Sequence, residues 1–110
     1  MAARFELKPS GDQFMFNLIA GNGEIILTSE RYKAKASAIN GIESVKKNAG
    51  DESRFEKKTS SNDKPYFVLK AGNHEIIGNS QMYASEDARD NGIQSVMNNA
   101  AEAAIDDKTD

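Results

Sequence analysis

Few residues of this chain have types that could do chemistry. His74 is the only histidine, and the 110 residues include no cysteine. Histidine can act as a general base or as a metal ligand, but both roles need partner groups, and none is clustered with His74 in the sequence. A turn explains this residue equally well, because histidine tolerates positive φ. We therefore expect no catalytic residue, no metal and no cofactor.

A line of amide and hydroxyl side chains is the most regular polar pattern. It occurs twice, each time with a spacing of four residues, which places its members on one face of a helix. Such groups can bind a ligand, or they can satisfy neighbouring backbone groups, which is the favoured interpretation for Asn and Ser. The residues are Asn40, Ser44 and Asn48, and then Asn91, Ser95 and Asn99.

These two lines belong to two copies of one sequence unit. Residues 16–49 align without a gap with residues 67–100, and 17 of the 34 aligned positions are identical. Each copy of about 50 residues is too short to bury a stable core alone, so the copies should share one core. We predict a single domain over residues 1–110, with repeat 1 at 1–52 and repeat 2 at 53–110.

The composition is that of a soluble globular protein. Hydrophobic residues make up 38% of the chain, charged residues 28%, and the net charge is -3. The first residues do not form a basic segment followed by an apolar one, and no apolar stretch approaches the roughly 20 residues of a membrane span. We expect a cytoplasmic protein with no membrane partner. A monomer is expected because the duplication supplies both halves.

Charge is unevenly divided between the repeats. The helical region of repeat 1 is net positive, and the equivalent region of repeat 2 is net negative. Solvated faces that diverged after duplication explain this difference. Weak nucleic-acid binding through repeat 1 is an alternative, although the acidic net charge argues against a general nucleic-acid binder. The residues of that alternative are Arg31, Lys33, Lys35, Lys46 and Lys47.

A hairpin is the strongest local signal. Asn22 and Gly23 lie between two alternating runs, which predicts a type I′ turn with positive φ at both residues. That loop would pair Ala20 with Ile25. An equivalent hairpin is predicted in repeat 2, and each hairpin is preceded by a short strand, at residues 4–8 and 54–58.

Each hairpin is followed by a predicted helix. In residues 34–49 and 85–100 the apolar residues recur at spacings of three and four. Gly41 and Gly92 lie inside these helices, where glycine is unfavourable, so they should mark close packing rather than a ligand contact. Residues 103–108 echo the strand of repeat 2 and are predicted as a strand, with a disordered end as the alternative.

Three segments of each repeat carry a family resemblance. They are AGNGEII at 20–26, SERY at 29–32 and NGIESVKKN at 40–48, repeated as AGNHEII at 71–77, SQMY at 80–83 and NGIQSV at 91–96. In these segments, and over almost its whole length, the chain resembles the YegP-like family. The resemblance brings no established activity and therefore no catalytic residues.

The resemblance implies an α+β fold. Two tandem β(3)-α-β repeats would form one pseudo-twofold domain with a single shared, mainly antiparallel sheet. The terminal strands would be exchanged between the halves, and both helices would pack on one face of the sheet. Family members with a single copy are expected to pair as dimers.

Strand alternation leads to a prediction of function. If the helices cover the face that bears Phe16 and Phe67, the alternate residues form an apolar opposite face, and such patches often mark interaction sites. Burial of that face by strands or loops is the alternative. We predict a non-catalytic interaction module that binds an unknown protein or peptide through the open sheet face, with an enzyme the least favoured class. The residues are Met15, Ile19, Ile26, Tyr66, Val68 and Ile77.

Overall fold

The computed structural model describes residues 3–109. Within this range the chain forms seven strands and two α-helices, and the predicted strand near the C-terminus is confirmed. The elements are β1 (Arg4–Ser10), β2 (Gln13–Ile19), β3 (Ile25–Ser29), α1 (Lys35–Asn48), β4 (Phe55–Thr59), β5 (Pro65–Lys70), β6 (Ile76–Asn79), α2 (Glu86–Asn99) and β7 (Ala104–Asp107). Short 3-10 turns at Glu52–Arg54 and Ala100–Glu102 follow the two helices.

All seven strands belong to one sheet with the order β4-β5-β6-β3-β2-β1-β7. The two repeats join at the centre, where β3 and β6 pair in antiparallel fashion. The last strand of repeat 2, β7, returns to repeat 1 and pairs in parallel with β1. The strand that follows α1, β4, pairs with β5. The predicted shared sheet with exchanged terminal strands is therefore confirmed.

Both helices pack on one face of this sheet and close a single core. The apolar side of α1 contributes Ala38, Ile42 and Val45, which are fully buried. The sheet contributes a matching aromatic pair from each repeat: Phe5 and Phe16 have ring centroids 5.8 Å apart, and Phe55 and Phe67 have theirs 5.6 Å apart. Within residues 3–109 neither helix combines the length and hydropathy needed to cross a membrane.

The hairpin turns differ from the predicted type I′ turn. The amide of Gly23 donates to the carbonyl of Ala20 (2.9 Å), and Gly23 has φ of 88° whereas Asn22 does not have a positive φ. This is a type I turn followed by a left-handed residue, the usual form of a three-residue loop. His74, with φ of 71°, takes the place of Gly23 in repeat 2, so the turn interpretation of His74 is confirmed.

Each hairpin also contains a β-bulge. Leu18 pairs with Leu27, but the next pair is Ile19 with Ile25, so that Ile26 is an extra residue in β3. The predicted pairing of Ala20 with Ile25 is therefore wrong. Ile77 is the extra residue in β6 of repeat 2. A bulge breaks strict strand alternation. In consequence Ile26 and Ile77 belong to the core under the helices.

The central seam between β3 and β6 is short and asymmetric. The strands pair only through Thr28 with Asn79 and Ser29 with Gly78, and then diverge. A Cβ on Gly78 would lie 2.7 Å from the carbonyl oxygen of Thr28 and 3.2 Å from Cγ of Leu27. Leu27 is the equivalent of Gly78 in repeat 1, so one large side chain fills this position for both halves.

Candidate functional site

Two equivalent clefts flank the central seam on the helix side of the sheet. Where β3 and β6 diverge, the hairpin of one repeat faces the helix of the other. Cleft A, with a volume of about 410 Å³, lies between the β2–β3 hairpin and α2. Cleft B, with a volume of about 240 Å³, lies between the β5–β6 hairpin and α1. Each cleft therefore exists only in the assembled domain.

The clefts are lined by nearly the same residues. Nine lining positions correspond between them, and eight of the nine carry the identical residue, whereas only nine of the other 25 aligned positions do. The exception is Ser37 in cleft B against Ala88 in cleft A. The identical residues of cleft A are Ala20, Asn22, Glu24, Ile26, Tyr83, Asn91, Gly92 and Ser95. Those of cleft B are Ala71, Asn73, Glu75, Ile77, Tyr32, Asn40, Gly41 and Ser44.

Packing accounts for the retained glycines. A Cβ on Gly41 would lie 2.5 Å from Oη of Tyr32 and 3.0 Å from the ring of Phe16, and a Cβ on Gly92 would overlap with Tyr83 in the same way. Each tyrosine therefore fits against its helix only because the glycine has no side chain. The sequence-based interpretation of both glycines as close-packing positions is confirmed.

The turn accounts for the retained asparagines of the hairpins. Oδ1 of Asn22 accepts a hydrogen bond from the amide of Glu24 (3.0 Å), and Oδ1 of Asn73 accepts one from the amide of Glu75 (3.1 Å). These side chains stabilise the loop locally, as Asx turns do.

Glu24 and Asn91 in cleft A, with Glu75 and Asn40 in cleft B, have no such role. All four side chains are exposed, and none of them forms a hydrogen bond or an ion pair within residues 3–109. Asparagine is also a poor helix former, so its retention in both helices gives the fold no advantage. These are the retained polar groups that local structure does not explain.

The predicted polar line divides into two parts. Nδ2 of Asn48 donates to the carbonyl of Ser44 (2.8 Å), and Nδ2 of Asn99 donates to the carbonyl of Ser95 (2.7 Å), so backbone hydrogen bonding is confirmed for these asparagines. The other members of the line, Asn40, Ser44, Asn91 and Ser95, line the clefts. The line was visible in the sequence, but the glutamates that oppose it across each cleft were not.

Each cleft is lined by a half-buried tyrosine and by a glutamate from the hairpin of the other repeat. Burial raises the pKa of Tyr32, and the negative charges of Glu30 and Glu75 raise it further. Burial also raises the pKa of Tyr83, a hydrogen bond with the Gln81 side chain opposes this rise, and the negative charge of Glu24 adds to it. The hydroxyl of Tyr83 is buried. Both phenols are therefore neutral groups beside a carboxylate.

On the opposite side, the sheet face is free of helices. Four of the six residues predicted for this face, namely Met15, Ile19, Tyr66 and Val68, do lie there, but Ile19 and Val68 are buried, at 5% and 4% exposure, and Met15 and Tyr66 are half-buried. Ile26 and Ile77 do not, because the bulges turn them into the core. Sequence reasoning missed Ile25 and Ile76, which take their places and are 45% and 41% exposed. We call the resulting set the open-face patch: Met15, Ile19, Ile25, Tyr66, Val68 and Ile76.

Ion pairs occupy the outer strands on this face. Arg4 pairs with Asp106 across β1 and β7 at 3.7 Å. Glu56 pairs with Lys58 at 2.8 Å and Lys70 at 2.9 Å, and these two lysines lower the pKa of Glu56 to about 2. Charges of both signs thus surround the open-face patch in balanced pairs.

The residues predicted for nucleic-acid binding do not converge. Lys35 pairs with Asp107 at 2.7 Å, and Nζ of Lys46 lies over the ring of Phe5 at 5.9 Å from its centroid. These two lysines lie near opposite ends of α1, about 16 Å apart at the α-helical rise. Arg31, Lys33 and Lys47 are exposed. Nor do residues 3–109 contain a group of three or more His, Cys, Asp or Glu side chains placed to hold a metal ion.

Fold and clefts together define a class: tandem-repeat α+β proteins in which two copies of one motif share a sheet. The chain belongs to the family described as "Domain of unknown function (DUF1508)", whose model matches residues 10–56 and again residues 60–107. The first match includes all the aligned residues of 16–49, and the second includes all those of 67–100. The resemblance to the YegP-like family is thereby confirmed.

Relatives of this family match the chain over its full length. A UPF0339 protein of Acinetobacter baylyi is 58% identical over 110 residues, which cover 99% of each protein. The UPF0339 protein YegP of Shigella flexneri is 57% identical over 110 residues, and the match covers 99% of this chain and 100% of that protein.

Two solution NMR structures share the fold. The UPF0339 protein SO3888 from Shewanella oneidensis gives a TM-score of 0.92 at 57% identity, covering 99% of this chain and 93% of that one. The protein yegP from E. coli, described as being of unknown function, gives 0.93 at 56% identity, covering 99% and 95%. The α+β architecture with one shared sheet is therefore that of the family.

Proposed function

We propose that this protein is a non-catalytic interaction module that binds a polypeptide partner through the open-face patch. The observation that carries the proposal is the exposure of Ile25 and Ile76. Large aliphatic side chains lose favourable free energy when they remain in water, yet both repeats retain isoleucine at this position. A second molecule docked on this face would remove the exposed parts of both side chains from water.

The surroundings of these isoleucines indicate the chemistry of the partner. A groove of about 680 Å³ opens beside Ile25 and is lined further by Thr28 and Asn79 on the open face. An apolar centre with a polar rim is the usual anatomy of a protein interface. Because the charges on the outer strands are paired and Glu24 is the one charged residue lining the groove, we expect a partner segment that mainly inserts an aliphatic or aromatic side chain. The proposal keeps the sequence-based expectation of a cytoplasmic monomer.

A library of random linear peptides displayed on phage tests the proposal. We expect selection on the immobilised protein to enrich sequences with apolar anchors. Their binding should be lost in the double variant Ile25→Lys with Ile76→Lys, since lysine at these exposed positions removes apolar area without entering the core. Ile105→Lys is the matched control, because Ile105 is 39% exposed but pairs with Phe5 and so lies on the helix side of the sheet.

Two further results decide the outcome. Thermal melting should show that the double variant retains its fold, and peptide binding should change little with salt. Enriched peptides that bind the double variant as well as the parent protein would overturn the site. Capture of short DNA strands that weakens steeply as salt rises would favour the nucleic-acid alternative instead.

A further inference from the structure

We infer that clefts A and B are a pair of binding sites for an organic ammonium group carried on an aliphatic chain. Cleft B borders the open-face patch at Ile76, and Glu24 lines both cleft A and the groove beside Ile25. The inference rests on the polar groups of the clefts and not on the isoleucines of the patch. The residues that carry it in cleft A are Glu24, Asn91, Ser95, Tyr83 and Ile26, and their equivalents form cleft B.

The charge of the lining selects a cation. Each cleft is lined by one carboxylate, Glu24 or Glu75, and by no lysine, arginine or histidine. Neither glutamate forms an ion pair within residues 3–109. A positively charged nitrogen would supply the missing counter-charge, whereas phosphate or carboxylate ligands would be repelled.

Hydrogen-bond acceptors around the carboxylate match an ammonium group, which has three donors and no acceptor. In cleft A the amide of Asn91 and the hydroxyl of Ser95 come from one face of α2, opposite the hairpin that carries Glu24. Tyr83 lines the same space, although its hydroxyl is buried, so the acceptors open to a ligand are those of Glu24, Asn91 and Ser95. A ligand nitrogen held by Glu24 would therefore find oxygen acceptors from both repeats.

The apolar part of the lining suits the chain that carries the nitrogen. Ala20 and Ile26 line cleft A beside the polar groups, and both are almost completely buried in the surrounding fold. Methylene groups placed against them would leave water without losing hydrogen bonds. An alkylammonium compound and a lysine side chain share this chemistry.

Retention in both copies gives the inference its second support. Glu24 and Asn91 are in different repeats, and so are Glu75 and Asn40, yet the same pair of residue types meets in each cleft. Identity between repeats is concentrated at the cleft positions, as described above, although the two helices otherwise differ in charge. Two copies of one binding site would keep the same residues at the cleft positions while the rest of the repeats diverged.

The two clefts allow a test with an internal control. The parent protein is titrated with n-butylammonium chloride at neutral pH while backbone amide shifts are followed by NMR. We expect saturable shifts at both clefts. Glu24→Gln should weaken binding at cleft A by about tenfold or more, because it removes the charge but keeps the shape, and should leave cleft B unchanged. Glu75→Gln should do the reverse.

Three further ligands complete the experiment. n-Butanol, the neutral analogue, should give no saturable shifts, and n-butyrate should give none. Nα-acetyl-lysine amide, whose side-chain ammonium is free, presents the same group as a polypeptide would. Tighter binding of this compound than of n-butylammonium would identify a lysine side chain as the source. The reverse order would identify a free amine.

The inference fails under any of three results. The first is that neither ammonium compound shifts the cleft residues. In the second, Glu24→Gln leaves the affinity of cleft A unchanged. In the third, n-butanol binds as tightly as n-butylammonium, which would show an apolar pocket with no selectivity for cations.

Discussion

Two neighbouring isoleucines show how strongly single residues differ in this protein. Ile25 is 45% exposed on the open face, whereas Ile26 is 4% exposed and packs in the core. In a regular strand adjacent residues point to opposite faces, and the bulge decides which of these two points inward. The same contrast holds for Ile76 and Ile77 in repeat 2.

Alanine substitution of each isoleucine should separate the two environments. We expect Ile26→Ala to lower the free energy of unfolding by about 2 kcal/mol or more, because it removes buried methyl groups and leaves a cavity. Ile25→Ala should cost less than about 1 kcal/mol, since its side chain is half in water and the loss of β-propensity is the same in both variants. Urea denaturation measures both values. Equal losses would contradict the bulge.

At the scale of elements, β7 depends on side chains for its attachment. It pairs with β1 in a short parallel ladder, and the amide of Lys108 donates to the carbonyl of Leu7 (2.7 Å). Asp107 adds an ion pair with Lys35 of α1 at 2.7 Å and a hydrogen bond from the amide of Thr109 at 2.9 Å. The carboxylate thus connects the last strand of repeat 2 to the first helix.

This attachment should weaken in acid. Lys35, and then Thr109, lower the pKa of Asp107 from 3.8 to about 2. A lowered pKa in the folded state adds stability above the unfolded value, and that stability is lost as the pH falls from about 4 towards 2. We therefore expect the hydrogen-exchange protection of β7 to decrease through this range before that of β5.

Asp107→Asn provides the control for that measurement. The variant cannot gain or lose the charge, so β7 should already exchange faster at neutral pH, and its protection should change little more in acid. Unchanged protection in Asp107→Asn at neutral pH would show that the backbone ladder alone holds the strand.

For the whole molecule, the two ends of the sheet differ. The outer edge of β1 is covered by β7, but no strand of residues 3–109 covers the outer edge of β4. In repeat 1, Leu7 on β1 is fully buried and Ile39 of α1 is half-buried. The equivalent positions of repeat 2 carry charged residues, Lys57 and Asp90, which form an ion pair at 3.2 Å. Charged residues at an open edge oppose pairing with another chain.

Replacing that ion pair with the apolar residues of repeat 1 should make two molecules associate through the edge of β4. We expect Lys57→Leu with Asp90→Ile to form dimers, because the substitution leaves an apolar edge with free backbone groups, while the parent protein stays monomeric. Analytical ultracentrifugation measures the mass in solution. The control is Lys47→Leu with Asp87→Ile, which makes the same changes at exposed helix positions. A monomeric edge variant would contradict this account.

Much of the fold could be predicted from the sequence because the duplication is so clear. The repeat required a shared core, and the spacing of Ala38, Ile42 and Val45 identified the buried side of α1. The bulges could not be predicted, since one extra residue in β3 leaves the hydrophobic pattern plausible in either register. Strict alternation, which ignores the bulge, therefore placed Ile26 on the open face, whereas it lies in the core.

The clefts were not predicted from the sequence, although the polar line that forms one side of each was recognised. The polar line appeared because Asn40 and Ser44 lie on one helix and follow its period. Glu75 lies far along the chain in the opposite hairpin, and no local pattern connects it with α1. Only the antiparallel joining of β3 and β6 brings the hairpin of one repeat to the helix of the other.

The contact of Leu27 with the space left by Gly78 makes the two halves complementary. Two copies of repeat 1 joined in the same way would bring two leucines to a place that holds one, and two copies of repeat 2 would leave a void there. Each half should therefore pack better against the other than against a copy of itself. At this position the duplicated chain resembles a heterodimer whose two subunits are covalently joined.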